Sequence, residues 1–281
     1  MTNLIVTPNP APDENGRLLS ITPESAGWTY VGFEVYRLKA GESFERETLG
    51  QEACLVLLSG RADIATKEER WTHVGGRMNV FEKTPPYSVY VPAGDRYEVT
   101  AATELELAVC LAPGAEAAED RQGRRPARLI GPDSVGVEHR GSGSMARLVH
   151  NILPESEPAD SLLVVEVFTP GGHWSSYPPH KHDQDALPDE SLLEETYYFR
   201  VDPEQGFAVQ RVYTDDRTLD ETLVVRDREA VLVPKGYHPV SAPPGYDVYY
   251  LNVMAGPKRV WKFRNDPDHD WLMNPPSSSR Q

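Results

Sequence analysis

The sequence predicts an all-β protein made of two tandem antiparallel barrels of the sandwich or jelly-roll type. Short segments rich in β-branched and aromatic residues, closed by Gly, Pro or Asp, recur along both halves. The 281 residues include 25 Pro and 21 Gly, which is typical of many turns and few long helices. No stretch beyond about ten residues has a helical hydrophobic period. The regular spacing of the segments favours a sandwich or barrel over alternating strands and helices.

The predicted strands form two groups separated by a polar segment. This segment, residues 112–126, is poor in large apolar side chains and predicts an exposed connector. We therefore place one barrel in residues 1–125 and a second in residues 126–281. In the first half the predicted strands cover residues 30–38, 53–58, 61–65, 77–81, 88–91, 97–101 and 104–111. In the second half they cover residues 161–168, 195–201, 206–213, 221–225, 230–233 and 248–255.

Charge and apolar content limit the partners and the location. There are 28 Lys and Arg against 43 Asp and Glu, a net charge of −15. This argues against binding to nucleic acid or anionic membrane, since both need a basic face. The apolar runs are far shorter than the roughly 20 residues of a membrane span, and the first residues do not resemble a signal peptide. Cys54 and Cys110 each lie in an apolar run, which predicts buried thiols of a cytoplasmic protein.

Two segments of the chain resemble each other. Residues 90–99 (YVPAGDRYEV) and residues 232–240 (LVPKGYHPV) both predict a strand that ends at Val-Pro and turns through Gly. Val91 and Val233 are 142 residues apart. Such a period indicates a duplicated domain rather than a solenoid, whose repeats lie near 20 to 50 residues. We therefore expect two related barrels.

The second half carries a pattern typical of a metal site. His180 and His182 are two residues apart, so on an extended segment both imidazoles project from the same side and can reach one ion. A strand with an acidic start follows at residues 193–201, and His238 comes after the turn at residues 233–237. Three imidazoles and one carboxylate suit a divalent ion and leave positions open for water or substrate. Their order along the chain resembles that of the cupin barrel.

Two adjacent glutamates compete for the carboxylate position. Side chains alternate along a strand, so Glu195, Tyr197 and Phe199 share one face while Glu194 lies on the other. The first face is the more apolar, as the interior of a barrel requires. We therefore choose Glu195 as the ligand and keep Glu194 as the alternative.

The first half lacks the corresponding ligands. Arg96 stands at the position equivalent to His238 in the repeat, and no His-x-His pair precedes residues 53–58. We therefore predict that the first barrel binds no metal and has a structural role. Such a barrel also offers a surface for a homodimer.

Five motifs of the second half occur in an order that resembles a known family. They are residues 172–183 (GHWSSYPPHKHD), 193–198 (LEETYY), 205–214 (QGFAVQRVYT), 233–239 (VPKGYHP) and 249–256 (YYLNVMAG). Together they resemble the 5-deoxy-glucuronate isomerases of myo-inositol breakdown and, more distantly, the 5-keto-4-deoxyuronate isomerases of pectin breakdown. In the pectin enzymes the glutamate lies closer to the second histidine. Residues 183–190 are therefore an insertion that leaves the carboxylate ligand open.

The resemblance implies a bicupin fold and a cytoplasmic bacterial enzyme that isomerises 5-deoxy-D-glucuronate to 5-dehydro-2-deoxy-D-gluconate. An ion held by His180, His182, Glu195 and His238, with zinc or manganese as the first choices, would polarise the sugar carbonyl. The candidates for the base are Glu194, Tyr213 and Tyr250, and those for contact with the acidic sugar are Arg211, Lys235 and His173. The rival functions are an iron-dependent dioxygenase and a sugar-binding bicupin without turnover.

Overall fold

Antiparallel strands dominate the computed structural model, which describes residues 3–115 and 125–273. The strands of the first part of the chain are β1 (Ile5–Val6), β2 (Arg17–Ile21), β3 (Gly32–Leu38), β4 (Ser43–Glu47), β5 (Gln51–Ser59), β6 (Ala62–Thr66), β7 (Arg70–Val74), β8 (Ser88–Val91), β9 (Arg96–Ala101), β10 (Leu105–Pro113) and β11 (Arg128–Ile130). Those of the second part are β12 (Gly136–Arg140), β13 (Arg147–Leu153), β14 (Leu163–Thr169), β15 (Trp174–Ser175), β16 (His180–Lys181), β17 (Asp183–Ala186), β18 (Glu190–Leu192), β19 (Glu194–Asp202), β20 (Phe207–Tyr213), β21 (Asp220–Arg226), β22 (Ala230–Val233), β23 (Val240–Ser241), β24 (Asp247–Ala255) and β25 (Arg264–Asn265).

Helical structure in the described residues is limited to single turns. The α-helix α1 covers Pro23–Ala26, and 3-10 turns cover Val80–Glu82, Pro132–Ser134, Gly143–Met145 and Asp270–Met273. None of the helices in residues 3–115 and 125–273 is long and apolar enough to cross a membrane. The predicted scarcity of helix is confirmed.

Each half of the molecule contains a large sheet and a four-stranded sheet. The large sheets have the orders β11-β8-β5-β10-β3-β2 and β1-β22-β19-β24-β14-β13-β12, and the smaller ones β4-β9-β6-β7 and β15-β23-β20-β21. Within these four sheets every strand except β12 has a counterpart at the same place in the other half, whereas β16, β17, β18 and β25 form two small sheets found in the second half alone among the described residues. The predicted pair of tandem antiparallel barrels is confirmed, and the match of sheet orders supports their origin by duplication.

The two halves exchange their edge strands. The N-terminal β1 pairs with β22 of the second large sheet, and β11 pairs with β8 of the first. Each barrel therefore completes the other's sheet, and the division at residue 125 stays a prediction. Most of the predicted connector, residues 116–124, lies outside the described residues.

Successive side chains of the central strands point alternately into different apolar cores, of which the described residues form three. One core fills the first barrel and includes Leu55 and Leu57, and a second fills the other barrel and includes Tyr197 and Phe199. The third lies between the large sheets of both halves and includes Tyr198. Odd-numbered positions of β19 thus face the second barrel's interior, whereas its even-numbered positions face the first half.

The predicted strand at residues 77–81 is wrong. The Asn79 side chain accepts a hydrogen bond from the Phe81 amide, and the Glu82 carboxylate accepts bonds from the amides of Met78 and Asn79. This reciprocal capping stabilises a 3-10 turn in place of extended backbone. The preceding Arg77 is buried, and its guanidinium forms two hydrogen bonds of 2.8 Å to the Glu166 carboxylate of the other half.

Candidate metal centre

Three of the predicted ligands converge in the interior of the second barrel. His182, which follows β16, Glu195 of β19 and His238, which follows β22, each offer a ligand atom, and these atoms lie within 4.8 Å of one another. All three side chains are buried. Oε2 of Glu195 lies 2.9 Å from Nε2 of His182 and 3.2 Å from Nε2 of His238. Within residues 3–115 and 125–273 this is the one group with the spacing of a metal site.

The imidazoles are oriented for ligation through Nε2. Nδ1 of His182 lies 3.1 Å from the Leu193 carbonyl oxygen, and Nδ1 of His238 lies 2.8 Å from that of Gly236. A neutral ring whose Nδ1–H donates to a carbonyl carries a lone pair on Nε2. Both lone pairs then face a carboxylate oxygen, and Nε2 of His238 is buried without a hydrogen-bond partner. Lone pairs that face a carboxylate oxygen repel it, and a cation between these atoms would be attracted to all of them. The residues therefore fit a divalent ion.

His180 lies at the side of this cluster. Its ring centroid is 5.1 Å from that of His238 and 4.6 Å from that of Phe263. Burial, together with the neighbouring imidazoles of His238 and His182, lowers the pKa of His180 well below its usual value. The ring is therefore neutral, as a metal ligand must be. The compact group nevertheless comprises only His182, Glu195 and His238, so His180 stays a predicted ligand.

The insertion after His182 folds back and leaves Glu195 in place. Strands β17 and β18 form a hairpin, and the Lys181 ammonium binds one carboxylate on each strand, Asp183 at 2.7 Å and Glu190 at 3.0 Å. The Leu193 amide donates to the His182 carbonyl at 2.9 Å. The chain thus returns to the histidine before β19 begins, so the long spacing does not keep Glu195 away from His182.

Glu195 is held as an anion by its surroundings. Burial alone would raise the pKa of its carboxyl, but the positive charge that the His238 and His182 rings carry when they are protonated holds it at about 2. The second oxygen, Oε1, accepts a hydrogen bond of 2.7 Å from the Asn252 amide group. Asn252 therefore fixes the orientation of the carboxylate while Oε2 faces the imidazoles.

The structure corrects both roles considered for Glu194. Its carboxylate points toward the first half and accepts hydrogen bonds of 2.7, 2.7 and 3.0 Å from the amides of Thr29, Tyr30 and Val31. Both of its oxygens are thus engaged by the loop before β3. We therefore assign Glu194 a structural contact between the halves and remove it from the candidate ligands and bases.

The two candidate tyrosines lie in different environments. The Tyr250 hydroxyl is 3.3 Å from Oγ of Ser176, which is 3.0 Å from the Tyr197 hydroxyl. The Tyr197 ring in turn lies 5.7 Å from that of His238. Tyr250 is thus linked to the cluster, whereas the Tyr213 hydroxyl donates to Asp266 at 2.7 Å. The structure does not bring Tyr213 to the metal candidates.

The predicted substrate contacts are also placed away from the cluster. Arg211 forms two hydrogen bonds to Asp220, of 2.8 and 2.7 Å, on β20 and β21. Lys235 is exposed in the turn after β22. Nδ1 of His173 lies 2.8 Å from the Ala146 carbonyl oxygen and so supports the loop before β13. Asp220 thus already neutralises Arg211, Lys235 faces solvent and His173 has a supporting contact, so their contact with the substrate stays a prediction.

A cavity of about 570 Å³ opens beside His180. Its lining consists of Arg140, Gly141, Met145, Arg147, Tyr177, Pro178, His180, Trp261, Phe263, Asn265 and Met273. The walls are largely aromatic and apolar, with a few polar groups, as is usual for a site that holds a small organic molecule. Glu194, Arg211 and Lys235 do not line it.

Sequence reasoning missed two residues of this site for different reasons. Asn252 could have been found, because alternation along β24 places Tyr250, Asn252 and Met254 on the barrel face. Arg147 gave no comparable signal. It comes before the second half's predicted strands, in a segment that has no metal or catalytic motif.

Comparison with known proteins agrees with this geometry. The KduI/IolB family matches residues 4–272. The chain belongs to the KduI/IolB family. It is 66% identical over 281 residues to a 5-deoxy-glucuronate isomerase of Geobacillus kaustophilus, which covers 100% of this chain and 99% of the relative. It is 48% identical over 276 residues to one of Bacillus subtilis strain 168, covering 97% and 99%. The resemblance seen in the motifs is confirmed, as is the expectation of an isomerase.

Solved structures extend the comparison to the fold. An IolB-like protein of Salmonella typhimurium LT2 has a TM-score of 0.91 and 52% identity, covering 97% of this chain and 100% of that one. Lactobacillus farciminis oxalate decarboxylase has a TM-score of 0.64 at 13% identity, covering 98% and 91%. The second likeness concerns the fold alone. This KduI/IolB member has the predicted bicupin architecture.

Proposed function

We propose that the protein converts 5-deoxy-D-glucuronate into 5-dehydro-2-deoxy-D-gluconate, an aldose–ketose isomerisation in inositol breakdown, with the help of a divalent metal ion. The observation that carries the proposal is the buried group of His182, Glu195 and His238 in a chain of this family. His180 joins this group to the cavity, because it lines the cavity and its ring lies 5.1 Å from that of His238.

His182, Glu195 and His238 would hold the ion, with His180 as the fourth ligand. A divalent ion bound there would supply positive charge that polarises the carbonyl of the sugar. Nitrogen and carboxylate donors of this kind suit both zinc and manganese. Metal analysis of the purified protein decides between them.

Tyr250 suits a hydrogen-bond donor better than a base. Burial raises the pKa of its phenol, so the hydroxyl keeps its proton at neutral pH. The contacts from Tyr250 through Ser176 to Tyr197 place hydroxyl groups next to the His238 ring. A donor at this place stabilises an oxygen that becomes negative while the proton moves between adjacent carbons.

The proposal is tested by following 5-deoxy-D-glucuronate with NMR in deuterated buffer. We expect conversion to the keto acid, with deuterium exchange at the carbon next to the carbonyl. Treatment with a chelator should abolish turnover, and zinc or manganese should restore it. Full activity in metal-free protein would exclude the metal mechanism. Oxygen consumption with Fe(II), or binding of the sugar without exchange, would favour a dioxygenase or a binding protein instead.

Location and assembly form part of the same proposal. We assign the reaction to the cytoplasm because Cys54 and Cys110 are paired across β5 and β10 as buried free thiols, which suits a reducing compartment. We further expect a homodimer that uses the metal-free first barrel as its interface. Light scattering on the purified protein measures the mass, and a monomer would contradict this part.

A further inference from the structure

Arg147 is a half-buried cation without a counter-charge. It lines the cavity beside His180, and among the described residues its guanidinium forms one hydrogen bond, from Nη1 to the Met145 carbonyl at 3.0 Å. In the part of the chain that the structure describes, no carboxylate pairs with Arg147. Arg140, the other arginine of the cavity, donates to the Glu138 carboxylate at 2.6 Å. The two guanidinium groups are therefore not equivalent, and only one is available to an anion.

The position of this guanidinium is fixed by its surroundings. A Cβ on Gly141 would lie 2.8 Å from Nη1 of Arg147 and 2.3 Å from the Met145 carbonyl oxygen. Gly141 also has φ of +74°, a backbone conformation that favours glycine. His173 binds the carbonyl of Ala146, the residue before the arginine, at 2.8 Å. The glycine thus leaves room for the side chain, and the histidine supports the backbone that carries it.

The electrostatic surroundings of Arg147 favour an anionic ligand. Burial, and the neighbouring charge of Arg140, lower the pKa of Arg147. An arginine nevertheless keeps its proton in a protein, so the cavity contains positive charge that no carboxylate of residues 3–115 and 125–273 neutralises. The Tyr250 phenol, linked to the metal candidates, lies within electrostatic range of this charge. The cavity therefore attracts an anion although the whole chain has a net charge of −15.

We propose that Arg147 is the carboxylate anchor of the site and binds the terminal carboxylate of the sugar acid while the carbonyl end points toward His180. This inference rests on the proposed function for the identity of the substrate. A guanidinium forms two parallel hydrogen bonds with a carboxylate. The anchor sets specificity as well, because a sugar with a terminal hydroxymethyl group would leave the partly desolvated cation without an anion.

The experiment compares Arg147→Met with wild type on the deoxy-uronate and on the analogue that has CH₂OH in place of the carboxylate. We expect kcat/KM for the acid to fall by roughly 100-fold, since two charge-assisted hydrogen bonds are lost. The value for the neutral analogue should stay within about twofold. Arg147→Lys should recover part of the loss. The matched control is Arg37→Met, which removes the same charge from the first half, where Arg37 pairs with Glu104.

A binding measurement separates the anchor from the isomerase proposal. Calorimetric titration with D-glucuronate should show binding to wild type and a loss of about 100-fold in affinity in Arg147→Met, with metal content and circular dichroism unchanged. If wild type fails to isomerise the deoxy-uronate, the proposed function falls, and this titration still decides the anchor. Equal binding by both proteins, no binding by wild type, or an acid-specific loss in Arg211→Met alone would overturn the anchor.

Discussion

The two barrels share one framework and differ at a few positions. In the first half Ala53 pairs with Val91, and in the second Glu195 pairs with Val233. Ala53 thus occupies the place of the predicted carboxylate ligand. Arg96, the counterpart of His238 in the repeat, is exposed on β9. The comparison shows that equivalent strands of the two barrels carry different side chains at the positions of the candidate metal centre.

The residue before each of these positions is a glutamate in both halves. Glu52 accepts hydrogen bonds of 2.7, 2.6 and 2.6 Å from the amides of Asp160, Ser161 and Leu162 of the second half. Glu194 binds the amides of residues 29–31 of the first half in the same way. Each carboxylate thus holds the segment that leads into the other half's β3 or β14. What the duplication preserved is this reciprocal contact, and what it changed is the next residue.

The largest expected difference between the halves concerns metal binding. His238→Ala removes a buried imidazole from the candidate centre, and we expect loss of bound metal and of isomerase activity. Arg96→Ala changes the equivalent position of the first barrel, where no ligand group is present among the described residues. It should retain both properties. Elemental analysis and the NMR assay measure them. Metal retained at the wild-type level in His238→Ala would show that the ion binds elsewhere.

The next prediction concerns the buried contact between the halves. Glu166 accepts hydrogen bonds from Arg77, His150 and Tyr249. The Arg77 side chain is only 2% exposed, so Glu166→Gln leaves its cation buried without a counter-charge. We expect a loss of about 3 to 5 kcal/mol in the free energy of unfolding, measured by urea denaturation.

Two controls show whether this loss belongs to the buried pair. Glu104→Gln, at the exposed pair with Arg37, should change the stability little. The double variant Arg77→Met, Glu166→Gln should lose less than the sum of the single variants, because the two groups interact directly. Additive losses would contradict the idea that the contact acts as a pair.

These contacts show which features of the fold and the candidate site can be predicted from the sequence and which cannot. Alternation correctly separates Glu195 from Glu194, because the two faces of β19 meet different cores. The function of Glu194, however, depends on the amides of residues 29–31, which no local pattern connects with it. Arg77 belongs to the predicted strand that proved wrong, and its partner Glu166 comes from the other half. Local periodicity reports which face is apolar, but partners distant in the chain become visible only in the folded protein.

The reciprocal glutamates give smaller and unequal effects. Glu52 is fully buried and also accepts a bond of 2.6 Å from the Tyr90 hydroxyl, whereas Glu194 is half-buried. We expect Glu52→Ala to cost about 2 to 3 kcal/mol of unfolding free energy and Glu194→Ala about 1 to 2 kcal/mol, since water reaches the freed amides more easily in the second case. Urea denaturation measures both.

The adjacent residue provides the control for Glu194. Glu194→Ala should keep bound metal, whereas Glu195→Ala should lose it, although the two positions are neighbours on β19. Loss of metal in both variants at a temperature where both are folded would mean that the contact between the halves also shapes the metal centre.

The smallest effect is a pH dependence that belongs to the contact at Glu166. Burial alone would raise the pKa of this carboxyl, but Arg77 and His150 lower it below its usual value. The Glu166 carboxyl therefore binds a proton less readily in the folded protein than in the unfolded chain. Its stabilisation is fully present above the pKa of the unfolded chain and is lost as the pH falls through the pKa of the folded protein. One group contributes a slope of at most about 1.4 kcal/mol per pH unit. We expect urea denaturation at a series of acidic pH values to give a shallower loss of stability in Glu166→Gln than in wild type. Identical slopes would place the acid sensitivity in other carboxylates.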